Sequence, residues 1–163
     1  RKAFDDLGLS GKISLVYAGG IRNGADVAKA IALGADAVAI GFSAMMALNC
    51  NKDIPEADFK KEMGVDAGFC YHCHTGRCPV GVATQDPELR KRLDPDKAAE
   101  RVYNFLHCLA IECQMFARAC GKTNVHSLEP EDLAALTMEA SALAQVPLAG
   151  SQHTVGRPDM NRY

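Results

Sequence analysis

Several features are scarce in this sequence, and each scarcity narrows the function. No apolar run reaches the ~18 residues of a membrane-crossing helix, so a membrane is not expected as a partner. No export signal opens the chain. It starts on Arg1 rather than Met, in what looks like the end of a helix over residues 1–7, so a piece of a larger protein is expected. Neither sign of charge dominates: 18 Lys and Arg stand against 20 Asp and Glu, a formal net charge of −2. With no basic tract and no aromatics interleaved with basic residues, nucleic acid is not an expected partner. A disulfide framework is also missing. The seven cysteines are odd in number and clustered, whereas a secreted disulfide scaffold is smaller and pairs its thiols. A reducing, cytoplasmic location is expected.

What is present begins with a 48% hydrophobic content over 163 residues, enough for one domain with a real core. Residues 13–18 (Ile-Ser-Leu-Val-Tyr-Ala) predict a short buried strand, entered from the turn-like Ser10-Gly11. Residues 25–33 predict a helix with Val27, Ala28, Ile31 and Ala32 on its apolar side and Gly34 as its stop. Residues 36–40 predict a second strand, closed by Gly41-Phe42-Ser43, and a further helix carries Met45, Met46 and Leu48 to near Cys50. A crossover long enough to hold a helix makes the two strands parallel neighbours in an α/β fold.

Both strands end in glycine: Gly19-Gly20-Ile21-Arg22 after the first, Gly41 after the second. Glycine lets a phosphate approach backbone N–H groups, and the following helix N-terminus adds favourable partial charge. In a (β/α)8 barrel the last two strands build such a site. Tight turns alone would also use these glycines, and Arg22 would serve as a phosphate contact or as a solvated loop residue.

Cys70-Tyr71-His72-Cys73-His74-Thr75-Gly76-Arg77-Cys78-Pro79 places three thiols in nine residues, spaced C-x2-C-x4-C. Ligand-grade residues this dense, among glycine and proline, point to a redox cluster or a metal. A structural zinc on Cys70, Cys73, Cys78 and a histidine is the inorganic rival.

The string Ala18-Gly19-Gly20-Ile21-Arg22-Asn23-Gly24-Ala25-Asp26, with Gly34-Ala35-Asp36 and Ile40-Gly41, resembles the seventh and eighth βα units of FMN-dependent barrels. It would also suit inosine-monophosphate dehydrogenases and hydroxy-acid oxidases. The loop Cys73-His74-Thr75-Gly76-Arg77-Cys78-Pro79-Val80-Gly81-Val82-Ala83-Thr84-Gln85 closely resembles the iron–sulfur loop of the glutamate synthase FMN-binding domain. The resemblance covers residues 11–94 well; the helical remainder is similar to the tail of shorter glutamate-synthase-related proteins.

That resemblance implies the C-terminal portion of a TIM barrel: residues 1–50 as its last two βα units, 51–85 as an insertion and the iron–sulfur loop, and 86–163 as a helical extension. It implies an FMN phosphate held by Gly19, Gly20, Ile21, Arg22, Gly41, Phe42 and Ser43. It also implies a 3Fe–4S cluster with Cys73 and Cys78 as two ligands. The family's first ligand stands five residues clear of the second, and here that place is Ala67. Cys50, at the end of the helix where the family has its first ligand, and Cys70 are the two candidates, and the family pattern favours Cys50. If both bind, a 4Fe–4S cluster follows.

The implied activity is reductive transfer of ammonia to 2-oxoglutarate, giving L-glutamate. The implied partners are a glutaminase subunit or domain and an electron donor, either ferredoxin or an NAD(P)H-linked subunit. An N-methylglutamate synthase subunit shares these parts, and a non-catalytic iron–sulfur electron-transfer module is the reading from a different class. Residues that bind 2-oxoglutarate or act as acid and base are not expected in this stretch.

Downstream, Asp86-Pro87-Glu88 and Asp94-Pro95-Asp96 both predict helix starts. The second helix runs to about residue 120, with Ala98, Val102, Phe105, Leu109, Cys113, Phe116 and Cys120 as its apolar stripe. Cys113 and Cys120 are expected in the core, and His107 and His126 are expected to be structural. Glu129-Pro130-Glu131-Asp132 predicts another helix with Leu133, Leu136, Ala140 and Leu143 on one face. The tail from Val146 is expected to be extended, packing on a partner or on the rest of the barrel.

Overall fold

The computed structural model describes residues 1–50, 60, 61, 64 and 70–157. In chain order its elements are α1 (Lys2–Asp6), β1 (Val16–Ala18), α2 (Gly24–Ala32), β2 (Ala37–Ala39), α3 (Phe42–Ala47), α4 (Pro87–Arg90), α5 (Pro95–Ala119) and α6 (Met138–Ala144). Short 3-10 turns lie at His72–Thr75, Val125–Ser127 and Pro130–Asp132. The chain divides into two compact units, Arg1–Ala39 with Leu109–Tyr163, and Ile40–Cys108.

The first unit is built on a βαβ crossover. β1 and β2 pair in parallel with Val16 opposite Ala37, Tyr17 opposite Val38 and Ala18 opposite Ala39. Asn23 opens α2 in an extended conformation, its side chain accepting the Asp26 N–H. Gly34, at φ +101, closes it: its N–H reaches the Ile31 carbonyl and the Ala35 N–H reaches that of Ala30, the bond pair of a Schellman stop. Val27, Ala28, Ile31 and Ala32 are all buried, as the helical spacing predicts.

The strands depart from expectation. Each is three residues long, and β1 is exposed throughout, with Val16 57% and Tyr17 48% accessible. A parallel strand is ordinarily covered by neighbours on each edge and a helix layer on each face. Among the described residues this sheet has two strands only, which agrees with part of a larger barrel.

Asp94 starts α5 by accepting the N–H groups of Asp96 and Lys97. α5 buries Ala98, Leu109, Cys113 and Ala117. The predicted stripe therefore fails at its end. Phe116 is 45% exposed and Cys120 is exposed, while Ala117 is buried at 2%. The row runs in steps of four from Leu109 through Cys113 to Ala117, and Cys120 lies past the last helical residue.

The helix predicted from Glu129 is also corrected. Pro130–Asp132 makes one 3-10 turn, closed by reciprocal bonds between Glu129 and Asp132. Leu133 is then extended, and Ala135 bridges to Leu148 instead of continuing a helix. Thr137 restarts the chain as the cap of α6. Leu136 and Leu143 are 88% and 80% exposed, so they form no buried face. The tail after α6 folds back on its own unit: Ser141 is fully buried, its hydroxyl donating to the Val146 carbonyl and accepting the Val155 N–H. The insertion expected before Cys70 lies almost entirely outside the described residues.

Candidate functional site

The first half of the candidate phosphate site follows β1. Gly19 and Gly20 stand at φ +111 and +71, conformations that cost an L side chain energy, and a Cβ on either would meet nothing within 4 Å. Ile21 is buried, whereas the Arg22 side chain is 80% exposed and pairs with Asp26 at 3.6 Å. Asp26 gathers this turn. It accepts the Arg22 N–H at 3.1 Å and stands 3.1 Å from the Lys29 ammonium. The Lys29 hydrogen bond holds its carboxyl below the usual range; burial opposes this in part, and the Arg22 N–H reinforces it.

Donors at the start of α2 are engaged within the protein. The Gly24 N–H donates to Glu112 at 2.7 Å and the Asp26 N–H to Asn23 at 3.0 Å. An added anion at the mouth of α2 would meet two carboxylates, Asp26 and Glu112. The start of α3 differs. Its N-cap is Gly41, no side chain caps it, and a Cβ at Gly41 would meet nothing within 4 Å. Phe42 is 70% exposed and Ser43 half-buried. Gly19 to Arg22 belong to the first unit and Gly41 to Ser43 to the second.

The candidate ligands all lie in the second unit. Cys50 is placed by the stop of α3. The Asn49 N–H reaches the Met46 carbonyl at 3.0 Å and the Cys50 N–H reaches that of Met45 at 3.1 Å. This is again a Schellman pair, with Asn49 in the left-handed position at φ +86. Asn49 is buried at 7%. Arg101 donates from Nε to the Ala47 carbonyl at 3.2 Å, meeting another end carbonyl of the same helix.

Cys73 sits on the 3-10 turn His72–Thr75, which Gly76 ends at φ +73. The Thr75 hydroxyl donates back to the His72 carbonyl at 2.8 Å and accepts the Arg77 N–H at 3.2 Å. Cys78 is buried at 5% and begins a second turn, in which the Gly81 N–H reaches its carbonyl at 3.3 Å. Gly81, at φ +80, lies against α4 and the residues after it: a Cβ there would stand 2.6 Å from the Leu89 carbonyl oxygen. Cys70 and Cys50 are half-buried, and Cys73 is exposed.

These four thiols share one electrostatic neighbourhood. Burial pushes the Cys50 thiol up, and Cys73, Cys78 and Cys70, in that order of effect, push it further. Among the described residues, however, no three His, Cys, Asp or Glu side chains are gathered as the ligands of a metal ion. The two findings differ in scale. Thiolates on one zinc at about 2.3 Å must crowd to within roughly 4 Å of each other, whereas electrostatic influence reaches further.

Asn49, Glu112 and Thr84 were not singled out by sequence reasoning. Asn49 had a signal, because asparagine ranks next to glycine at a left-handed helix stop. Glu112 and Thr84 act on backbone groups of other elements, and nothing local marks them.

The strand pairing and the glycine-closed strand ends define the class: an α/β protein of βαβ build, followed by a thiol-bearing loop. A family model for the conserved region in glutamate synthase matches residues 1–55 and 61–123, and the chain belongs to the glutamate synthase family. It is 54% identical over 156 residues to a glutamate synthase large subunit-like protein of Rhizobium meliloti, covering 96% of this chain and 35% of that one. It is 45% identical over 121 residues to the archaeal glutamate synthase (NADPH) of Methanocaldococcus jannaschii, covering 74% and 20%. The archaeal-type enzyme of Thermotoga neapolitana is 43% identical over the same length. The chain thus spans about a third or less of the curated relatives it matches. No helix among the described residues is long and apolar enough to cross a membrane.

Proposed function

We propose that this chain is part of an FMN- and iron–sulfur-dependent glutamate synthase, working in the cytoplasm. The reaction is reductive transfer of ammonia to 2-oxoglutarate, which consumes two electrons and two protons and releases water and L-glutamate. The observation that carries the reading is the family match over residues 1–55 and 61–123, together with the Cys73 and Cys78 loop that it spans. The family pattern favours Cys50 over Cys70 as the first ligand. Cys50 then stands with Cys73 and Cys78 as the ligand set, and Cys70 is the candidate fourth. A multi-iron cluster suits thiols that are neighbours without the crowding one ion demands. When bound, the flavin and the cluster supply hydride delivery and single-electron passage.

This chain's own residues hold and orient. Gly19, Gly20, Ile21 and Arg22, with Gly41, Phe42 and Ser43, would receive the FMN phosphate. The resemblance of these strand ends to the last two βα units of FMN-dependent barrels supports that assignment, as do the left-handed conformations of Gly19 and Gly20. The partner set is 2-oxoglutarate and glutamate, a glutaminase subunit or domain, and an electron donor that is ferredoxin or an NAD(P)H-linked subunit.

The test is elemental. The intact protein, purified without oxygen, is expected to carry iron, sulfide and about one FMN per chain, as an oxidoreductase that works through both cofactors requires. Electron paramagnetic resonance of the oxidised state then separates three irons from four. Zinc without iron or flavin would overturn the reading.

A further inference from the structure

The bend between Cys73 and Cys78 is held by residues that follow Cys78 in the chain. Gly76 is its turning point, in the left-handed conformation between the two cysteines. The Thr84 hydroxyl donates to the Gly76 carbonyl and accepts the Asp86 N–H, the latter at 3.1 Å. Thr84 is buried at 9%. Asp86 in turn caps α4, accepting the N–H groups of Glu88 and Leu89. One hydroxyl therefore ties the apex of the cysteine loop to the start of a helix. On the other side of Cys78, Arg92 donates to the Pro79 carbonyl at 2.9 Å. Cys78 thus sits between two carbonyls, each held by a side chain that follows the loop.

We infer that Thr84 and Arg92 are positioning residues of the metal centre: together they fix the spacing and direction of the Cys73 and Cys78 thiolates. The inference rests on the proposed cluster at those cysteines. Neither residue is a ligand, and neither acts on substrate. Thr84 has a role no apolar residue of equal shape can fill, because the Gly76 carbonyl needs a donor and the Asp86 N–H an acceptor. Unheld, the bend would sample other geometries, and the two thiolates would reach the iron with less shared direction.

The test uses the whole protein, purified without oxygen, as wild type, Thr84→Ser, Thr84→Val and Arg92→Met. Iron and sulfide are counted, iron release to a chelator is timed, and the resonance spectrum and midpoint potential are recorded, with bound flavin and melting temperature as controls. Thr84→Ser is expected to match wild type in every measure. Thr84→Val is expected to release iron about tenfold faster, the scale typical of outer partners of metal ligands, and to broaden or shift the cluster resonance with flavin content unchanged. Arg92→Met should change the same measures in the same direction, and it decides the matter if Thr84→Val does not fold. Wild-type release and an unaltered spectrum in the soluble variants would overturn the inference and leave the cluster reading standing. A wild-type protein without iron would overturn the cluster reading, and the inference with it.

Discussion

Glu112 accepts a hydrogen bond at 2.7 Å from the backbone N–H of Gly24, which lies 88 positions earlier in the chain. This bond closes the first turn of α2 with a carboxylate from α5. It also explains why residue 24 must be glycine. A Cβ there would lie 2.5 Å from the Cys113 backbone nitrogen and 2.6 Å from the Leu109 carbonyl oxygen.

Gly24→Ala is therefore expected to destabilise the protein by about 1–3 kcal/mol, the range for overpacking against atoms that cannot step aside. Glu112→Gln keeps an acceptor and should cost about 1 kcal/mol. Thermal melting of the intact protein checks both. A Gly24→Ala protein that melts with wild type would mean that α2 and α5 do not approach this closely.

Asn49 holds a left-handed conformation just before Cys50. Asn49→Gly relieves that conformation and is expected to keep stability close to wild type. Asn49→Val should lose about 1–2 kcal/mol, the usual penalty of this region for a side chain that cannot bond locally. Because the same turn aims Cys50, the valine variant should also bind less iron. Equal iron content in the two variants would argue against Cys50 as a ligand.

The cysteines separate by replacement. Alanine at Cys50, Cys73 or Cys78 is expected to abolish cluster assembly, read as loss of visible absorption and of acid-labile sulfide. Cys70→Ala is expected to leave a three-iron signal, because the family pattern takes its first ligand from Cys50. The reverse pattern, with Cys50→Ala loaded and Cys70→Ala empty, would move the first ligand to Cys70.

Asp26 should shape the acid side of the stability profile. Its hydrogen bond with Lys29, aided by the Arg22 N–H, sets its folded pKa below the ordinary 3.8. The stabilisation is then fully present above pH 3.8 and is lost as pH falls below that value through the folded pKa. Asp26→Asn is expected to flatten the fall of melting temperature in that acid window and to leave the dependence above it unchanged. An unaltered acid limb would show that the contact carries no folding energy.

Much of the fold could be read from local chemistry. Gly34 stops α2, Asp86 and Asp94 each cap a helix opened by proline, and the crossover length makes β1 and β2 parallel. In each case the residues that decide the outcome are adjacent in sequence. Reading failed where partners are distant. Leu133, Leu136, Ala140 and Leu143 have helical spacing, but a backbone bridge between Ala135 and Leu148 competes for that stretch and prevails. Cys120 fits the period of α5, yet the helix ends one residue before it. At the site, the loop from Cys70 to Cys78 is legible as a pattern. Cys50 entered only through the family pattern, because no spacing rule spans the residues between it and the loop.

The bond from Cys50 to Met45, the bond from Asn49 to Met46, and the bonds from Thr84 and Arg92 all lie within about a dozen residues of the cysteine they support. Each thiol therefore inherits its direction from its own stretch of chain. A substitution that loosens the turn before Cys50 leaves the bend between Cys73 and Cys78 intact, and the reverse holds as well. Damage to the two supports is expected to add, as it does for sites that share no partner.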